Sequence, residues 1–334
     1  MLAQHVEERG SGGWLDNVDI AAVEAKPKSH RDRLGSGAMP FFSRRELLQA
    51  GAGLAGAAAL VACGAGKKSV AVGSDDEKLT NDPTNGLGVF LGTAQPLSGV
   101  DQRMTFGLFD KGQMVTGDRP VTISFAPDVA PPRFGPVQQA TFHGDGIPTK
   151  PYYETTYRFD HAGNWIVKAH IGKRLAANRF TVTDPAQSKV PVPGAAMIKT
   201  PTPTVTNAMG VSPLCTRQPA PCPFHQTSLD SALSTGRPTA VLFATPALCS
   251  SRTCGPVLEV LNANASAFSS RLQIIHVEIF TDLQGQTRLP AVQAYGLDSE
   301  PILFLADAKG IVRDRLDGPY DSADLRAAVN RLLA

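Results

Sequence analysis

Four of the five cysteines in this chain of 334 residues form two closely spaced pairs. Cys249 and Cys254 lie between an apolar run that starts at Ala240 and a helix-like pattern that follows Cys254. The first amides of a helix have no partner inside it and carry partial positive charge, so a thiolate held there is stabilised and its pKa falls. The placement of this pair predicts redox chemistry.

Two interpretations of this pair stay open. Five residues rotate a helix by roughly 500°, so the two sulfurs can bond only if Cys249 lies in the loop before the helix. An oxidising compartment favours a fixed structural disulfide. The strand-to-helix position, with Arg252 placed to stabilise a Cys249 thiolate, favours reversible exchange instead.

The segment around the pair resembles the thioredoxin superfamily. The likeness rests on Phe243 in the strand, on Thr245 and Pro246 at the entry to the turn, and on Pro256 in the helix that follows. The family pattern has two residues between its cysteines, whereas four stand here. The family also buries an acid just before the strand phenylalanine, where this chain has Leu242.

Strand and helix signals alternate over the rest of the C-terminal region in the thioredoxin order. They predict a short helix at 228–234, strand 240–245, helix 255–268, strand 272–280, helix 289–295, strands 302–306 and 311–316, and helix 322–333. The resemblance implies an α/β thioredoxin-like domain over residues 213–334. It also implies that Pro301 is a cis-proline facing Cys249 and Cys254 as a third catalytic residue. Glu300 beside it is placed either to contact a thiol substrate or to face water.

The second pair, Cys215 and Cys222, lies in a Pro-rich loop ahead of that domain. His225 allows a metal interpretation, but a zinc site normally has four ligands and no fourth stands nearby. A structural disulfide is therefore preferred, and no metal or cofactor is expected. His276 and Glu278 share one face of a predicted strand, where a packed or edge histidine is the expected state of His276.

Short apolar runs separated by turn signals occupy residues 86–184. Alternation at Tyr157 and Phe159, and again from Trp165, has the period of a β-strand. The region is predicted to be an all-β sandwich, and its strand spacing resembles immunoglobulin-like domains of bacterial envelope proteins. Residues 185–212 are Pro-rich and aperiodic, which predicts an extended linker between the two domains.

The N-terminal region carries export signals. Residues 1–38 are polar, Gly-rich and aperiodic, and are expected to be a non-native or disordered extension, with the native protein starting at Met39 in the first case. The twin Arg44-Arg45 followed by a weakly hydrophobic run resembles a Tat signal, and Leu60-Val61-Ala62-Cys63 resembles a bacterial lipobox. A transmembrane anchor is the alternative, but about 16 residues are too few to span a bilayer.

These signals predict a signal peptide over 39–62, lipidation of Cys63 and a polar tether over 63–85. The protein is accordingly expected on the extracytoplasmic face of the cell membrane, bound through its lipid. A formal net charge of +2 gives no electrostatic reason to expect nucleic-acid binding.

Two functions are compatible with the sequence. The first is a membrane-anchored thiol-disulfide oxidoreductase acting on envelope proteins or small thiols, with Cys249 as the attacking thiolate and Cys254 as the resolving thiol. The second is a binding lipoprotein without enzymatic activity, in which the same pair is a structural disulfide. The expected partners are envelope protein thiols or disulfides in the first case and an envelope or metal-delivery protein in the second, with attachment to the membrane in both.

Overall fold

The computed structural model describes residues 79–117 and 119–334. The predictions for 1–38, for the signal peptide 39–62 and for Cys63 therefore lie outside the described residues, as does most of the tether 63–85. The described residues belong to one compact unit. None of the helices among them combines the length and apolar character that a bilayer crossing requires.

Strands make up the N-terminal half, residues 79–184. They are β1 Leu87–Leu91, β2 Asp101–Asp110, β3 Gln113–Met114, β4 Val121–Pro127, β5 Gln138–His143, β6 Tyr152–Arg158, β7 Gly163–Ile171 and β8 Arg174–Val182. Among the described residues they form one antiparallel sheet in the order β1-β2-β6-β5-β4-β7-β8, with β3 on β2. The side-chain amide of Asn178 donates a hydrogen bond to the Val89 carbonyl at 3.1 Å. This contact brings β8 against β1 and nearly closes the sheet.

The core of this half lies inside the curled sheet. Met104, Phe106 and Leu108 alternate along β2 and are at most 1 % exposed, as a strand with one buried face requires. Phe159 and Trp165 pack edge-on at 4.9 Å between ring centroids. The all-β class predicted for this half is confirmed, while its sandwich arrangement and its immunoglobulin-like assignment stay predictions.

The C-terminal half, residues 213–334, alternates helices and strands as predicted. Its elements are α1 Leu229–Ala232, β9 Thr239–Phe243, α2 Cys254–Asn264, β10 Gln273–Val277, α3 Pro290–Ala294, β11 Ile302–Ala306, β12 Val312–Asp317 and α4 Ser322–Leu333. The sheet formed by the described residues has the order β10-β9-β11-β12. β9 and β10 are parallel, and β11 is antiparallel to both β9 and β12.

Helices α2 and α4 cover one face of this sheet. Val257 and Leu258 of α2 are fully buried in a core that also contains Leu242 of β9 and Leu325 of α4. Asp321 caps α4 by accepting a hydrogen bond from the Asp324 amide at 2.9 Å. The buried face of α2 fixes the start of that helix relative to the sheet.

The predicted linker 185–212 packs along the C-terminal half. Apart from a short 3-10 helix at Pro185–Gln187, its residues form no regular helix or strand. Val190, Met197 and Val211 are nonetheless buried in the core on the other face of the second sheet. The segment is extended as expected, but it is held in place by apolar burial, and the domain boundaries at its ends stay a prediction.

A cluster of charged side chains joins the two halves, and we call Arg103, His143, Glu154, Asp321 and Asp324 the interface cluster. The Arg103 guanidinium donates to Glu154 and to Asp324, each at 2.6 Å. His143 Nδ1 lies 3.2 Å from Asp321 Oδ2. Because α4 supplies Asp324 and β2 supplies Arg103, these contacts tie the all-β half to the last helix.

Candidate functional site

Cys249 and Cys254 form a disulfide with a Cα–Cα distance of 6.0 Å. Cys254 is the first residue of α2, and Cys249 lies in the loop ahead of it, as the spacing requires. The loop is closed by backbone hydrogen bonds from the Cys249 amide to the Thr245 carbonyl and from the Arg252 amide to the Cys249 carbonyl, both at 3.0 Å. The Cys254 amide points at the Cys249 sulfur, 3.4 Å away. The helix start thus offers a hydrogen-bond donor to Cys249.

The two cysteines differ slightly in exposure. The sequence predicts a solvent-reached Cys249 in the turn and a more covered Cys254 at the helix; Cys249 is 7 % exposed and Cys254 is fully buried. Cys249 is thus itself buried, so solvent reaches its sulfur less than its position in a loop predicts. Arg252 is exposed, and among the described residues its guanidinium has no hydrogen bond or ion pair. Stabilisation of a Cys249 thiolate by Arg252 stays a prediction.

Glu300 brings a carboxyl group to this disulfide. The Glu300–Pro301 bond is cis, as predicted, and precedes β11. The Glu300 carboxylate accepts a hydrogen bond from the Thr245 amide at 2.5 Å, and an oxygen of it lies within 4.8 Å of both cysteine sulfurs. Burial raises the pKa of Glu300 to about 7, against the opposing effect of the Thr245 amide. Glu300 therefore supplies an acidic group at the disulfide itself, whereas Leu242 supplies none at the strand position where thioredoxins have an acid.

Cys215 and Cys222 are not bonded to each other. Both thiols are free and buried, with their sulfurs 3.9 Å apart, so the predicted structural disulfide is wrong. The physical reason is that both sulfurs face His276 Nδ1, at 3.7 Å and 3.4 Å, rather than each other, in a loop that packs along β10, the edge strand of the second sheet. The His276 amide donates to the Phe224 carbonyl at 3.0 Å, and this contact brings His225 and His276 to the two thiols.

We call Cys215, Cys222, His225 and His276 the thiol–imidazole cluster. All four side chains are buried, and their ligand atoms all lie within 4.8 Å of one another. His225 was considered from the sequence, but His276 was expected to be a packed or edge histidine. It lies 51 positions after His225, so only the pairing of the loop with β10 reveals it. The feature of the sequence that points to His276 is its position in the mainly apolar run around β10.

A hydrogen-bonded chain connects this cluster to the disulfide loop. Thr216, next to Cys215, donates its amide to the Glu278 carboxylate at 2.6 Å. The Thr216 hydroxyl in turn accepts from the Ala247 amide at 3.1 Å, two residues before Cys249. Burial raises the pKa of Glu278 above its ordinary value. Thr216 therefore links the two cysteine-bearing loops, and Glu278, for which no catalytic role was predicted, anchors it.

A cavity of about 510 Å³ opens elsewhere, between the two halves. Its lining includes Arg103, Glu154, Arg315, Asp317 and Asp324. None of the residues predicted for the functional site lines it. The two cysteine pairs thus lie beside the second sheet rather than in this cavity.

Comparisons with known proteins give partial likenesses only. No protein-family model matches the chain. No curated protein matches it either. Among solved structures, the thiol:disulfide interchange protein DsbE from Chlorobium tepidum matches with 17% identity and a TM-score of 0.31, covering 43% of this chain and 99% of that one.

Two further solved structures are similar over part of the chain. A thioredoxin-family thiol:disulfide interchange protein from Chlorobium tepidum TLS has 17% identity and a TM-score of 0.29, covering 42% of this chain and 100% of that one. The Bacteroides ovatus GH9 protein has 12% identity and a TM-score of 0.22, covering 37% of this chain and 25% of that one. All three TM-scores lie below 0.5, so these likenesses assign neither a family nor an activity to this chain.

Proposed function

We propose that this protein carries out thiol-disulfide exchange through Cys249 and Cys254. The observation that carries the proposal is the carboxyl group of Glu300, which lies within 4.8 Å of both sulfurs of a disulfide at the start of α2. Exchange needs a stabilised thiolate and a group that takes up and returns a proton near neutral pH. The amide at the start of α2 serves the first need, and Glu300, with its pKa of about 7, serves the second.

In the oxidising direction, a substrate thiolate attacks the sulfur of Cys249. The Cys249–Cys254 bond breaks, its electron pair leaves on Cys254, and Glu300 protonates that thiolate. A second substrate thiolate attacks the substrate sulfur of the mixed disulfide and releases Cys249. Cys249 leaves as a thiolate. The two substrate thiols lose two electrons, which reduce the disulfide, and two protons, one of which restores Glu300 while the other protonates Cys249, so the protein gains a dithiol. The reducing direction is the reverse, with Cys249 as the attacking thiolate and Cys254 as the resolving thiol.

The location of this activity is proposed from the N-terminal sequence. The twin Arg44-Arg45 and the motif ending at Cys63 support export, lipidation and attachment to the extracytoplasmic face of the cell membrane, with envelope thiols or disulfides as substrates. Fractionation of cells expressing the wild type and Cys63→Ala tests this attachment. A Cys63→Ala protein that still carries lipid and stays with membranes contradicts it.

A second candidate is a binding lipoprotein in which the disulfide only clamps the loop. The burial of both cysteines favours it, because an attacking thiolate must reach a side chain that is 7 % exposed. The clamp and the exchange reaction make different predictions for cysteine variants.

Trapping of mixed disulfides separates the two candidates. In Cys254→Ser the resolving thiol is absent, so mixed disulfides with small or protein thiols should accumulate on Cys249. The matched Cys249→Ser protein should trap none, since Cys254 is fully buried. Non-reducing gels and mass spectrometry of the adduct measure both. Equal trapping on the two cysteines rejects the assigned roles, and no trapping in either variant favours the clamp.

A further inference from the structure

We infer that the thiol–imidazole cluster is a structural zinc site. Cys215, Cys222 and His225 come from the loop ahead of α1, and His276 comes from β10. Two thiolates with two imidazoles are a typical ligand set of closed, four-coordinate zinc. The site is separate from the disulfide, and it stands or falls independently of the exchange reaction proposed above.

The spacing of the ligand atoms fits a tetrahedron around one ion. Zinc-ligand bonds of about 2.3 Å to sulfur and about 2.0 Å to nitrogen give ligand separations of about 3.8 Å for S–S, about 3.5 Å for S–N and about 3.3 Å for N–N. The two sulfurs are 3.9 Å apart, and the two ring nitrogens are 3.3 Å apart. The sulfur-to-nitrogen separations are 3.7 Å from Cys215 to His276, 3.4 Å from Cys222 to His276 and 3.3 Å from Cys222 to His225.

The hydrogen bonds around the cluster suit metal binding. His276 Nε2 lies 2.9 Å from the Ala244 carbonyl, which can only accept, so Nε2 carries the proton and the neutral ring turns an unprotonated Nδ1 to the cluster. Orientation of a ligand histidine by a backbone carbonyl is a common feature of zinc sites. The Cys222 amide points at the Cys215 sulfur at 3.4 Å, a contact that favours a thiolate there.

Charge also favours a divalent cation. The four ligand side chains are at most 6 % exposed, so a net charge among them would be poorly solvated. When Zn²⁺ binds, each of the two thiols loses its proton to solvent and the imidazoles stay neutral. The metal and its ligands then have no net charge, and no electron is transferred.

Such an ion would fix the loop that supports the disulfide. It would hold Cys215 and Cys222 against the edge strand β10. The neighbouring Thr216 hydroxyl accepts a hydrogen bond from the Ala247 amide of the disulfide loop. All four coordination positions are filled by protein, which leaves no open position for a substrate. The ion is therefore structural, and it holds the two cysteine-bearing loops in register.

Metal content of the purified full-length chain tests the assignment. The wild type should contain about one zinc ion per chain by inductively coupled plasma mass spectrometry. Cys222→Ser and His276→Gln should each lose at least nine tenths of this zinc. Two controls should keep the full amount: the double variant Cys249→Ser with Cys254→Ser, and His143→Gln in the interface cluster. Loss of zinc in either control, with retention in the cluster variants, overturns the assignment.

Cobalt binding to the wild type keeps the test independent of variant folding. Co²⁺ added to metal-free protein should give the intense visible bands of a tetrahedral thiolate site, which saturate at one equivalent and disappear when Zn²⁺ is added. Alkylation of Cys215 and Cys222 should be blocked by Zn²⁺ and restored by a chelator. Absence of these bands, or a Cys215–Cys222 disulfide in non-reducing peptide mapping of the wild type, contradicts the zinc site.

Discussion

At the scale of single residues, the chemistry of the disulfide depends on an acid that reaches it from an unexpected direction. The strand position where a thioredoxin would bury its acid is Leu242, which is fully buried in the apolar core. Glu300 approaches instead from the start of β11 and is fixed by the Thr245 amide. Its proton affinity is therefore set by burial at the site itself, and this is measurable as a change in stability with pH.

Replacement of Glu300 by glutamine should flatten the pH dependence of stability of the oxidised protein. Burial raises the pKa of Glu300 from 4.5 to about 7, so between these values the folded protein keeps a proton that the unfolded chain has lost. This contribution is full below about pH 4.5 and is lost as the pH rises towards 7. Over this pH range the free energy of unfolding of the wild type should fall by up to about 3 kcal/mol more than that of Glu300→Gln.

Urea unfolding at a series of pH values measures this difference. Glu259→Gln is the matched control, because it removes a carboxyl group from the exposed face of α2. For this control, the free energy of unfolding should change with pH between pH 5 and 7 as steeply as it does for the wild type. The idea fails if Glu300→Gln and Glu259→Gln give the same slope, since Glu300 would then titrate as an exposed side chain does.

At the scale of elements, the sequence predicted the C-terminal half well because its signals are local. The apolar run at β11 and the amphipathic pattern of α4 gave the observed bounds, Ile302–Ala306 and Ser322–Leu333. The helix expected over 255–268 ends at Asn264 and continues as a 3-10 helix at Ala265–Ala267. Such ends depend on hydrogen bonds that periodicity does not specify.

The candidate site was predictable only in part, for the same reason. The position of Cys249 in a loop and of Cys254 at a helix start follow from adjacent residues. The thiol–imidazole cluster requires His276, which only the parallel pairing of β10 with β9 and the path of the preceding loop bring near Cys215. The near closure of the first sheet is likewise a long-range property, because β1 and β8 meet from opposite ends of that half.

Helix α2 positions Cys254 through its buried face, so truncation of that face should be costly. Leu258 is fully buried between α2 and the sheet, and Leu258→Ala should lower the free energy of unfolding by about 2–5 kcal/mol. Leu283→Ala is the matched control, since this leucine is 50 % exposed and should cost less than about 0.5 kcal/mol. Chemical denaturation of both variants measures the costs. A Leu258→Ala cost below 1 kcal/mol contradicts the packing described for α2.

At the scale of the whole molecule, the two halves are joined by charge as well as by the packed segment 185–212. Arg103 also donates to the Pro319 carbonyl at 2.5 Å, so it contacts the C-terminal half at more than one point. Burial lowers the pKa of His143, but the hydrogen bond to Asp321 and the nearby carboxylates outweigh it and raise that pKa above its ordinary value. The interface cluster therefore favours a cationic His143, whose stabilising contribution is lost as the pH rises through its folded-state pKa.

Removal of Arg103 should weaken the whole molecule and uncouple its halves. Its side chain is 16% exposed, and Arg103→Ala would leave the Glu154 and Asp324 carboxylates without their shared cation, at a cost of about 3 kcal/mol. The matched control is Arg174→Ala, which breaks an ion pair of similar length with Asp110 at 2.6 Å but on a side chain that is 44% exposed. The control should cost less than about 1 kcal/mol, because water and salt screen an exposed pair.

Two probes during urea unfolding distinguish loss of stability from loss of coupling. Trp165 fluorescence, measured in a Trp14→Phe background, reports the all-β half, and far-ultraviolet circular dichroism reports the C-terminal half, which contains α1 to α4. In the wild type both transitions should coincide, because the interface cluster makes unfolding of one half expose charges buried by the other. In Arg103→Ala the C-terminal half should unfold at a lower urea concentration than the all-β half, whose unfolding Trp165 reports. Transitions that stay coincident in Arg103→Ala, with a cost no larger than that of Arg174→Ala, would show that the halves are coupled without Arg103, through contacts such as the hydrogen bond from Arg315 to the Gln95 carbonyl at 3.0 Å.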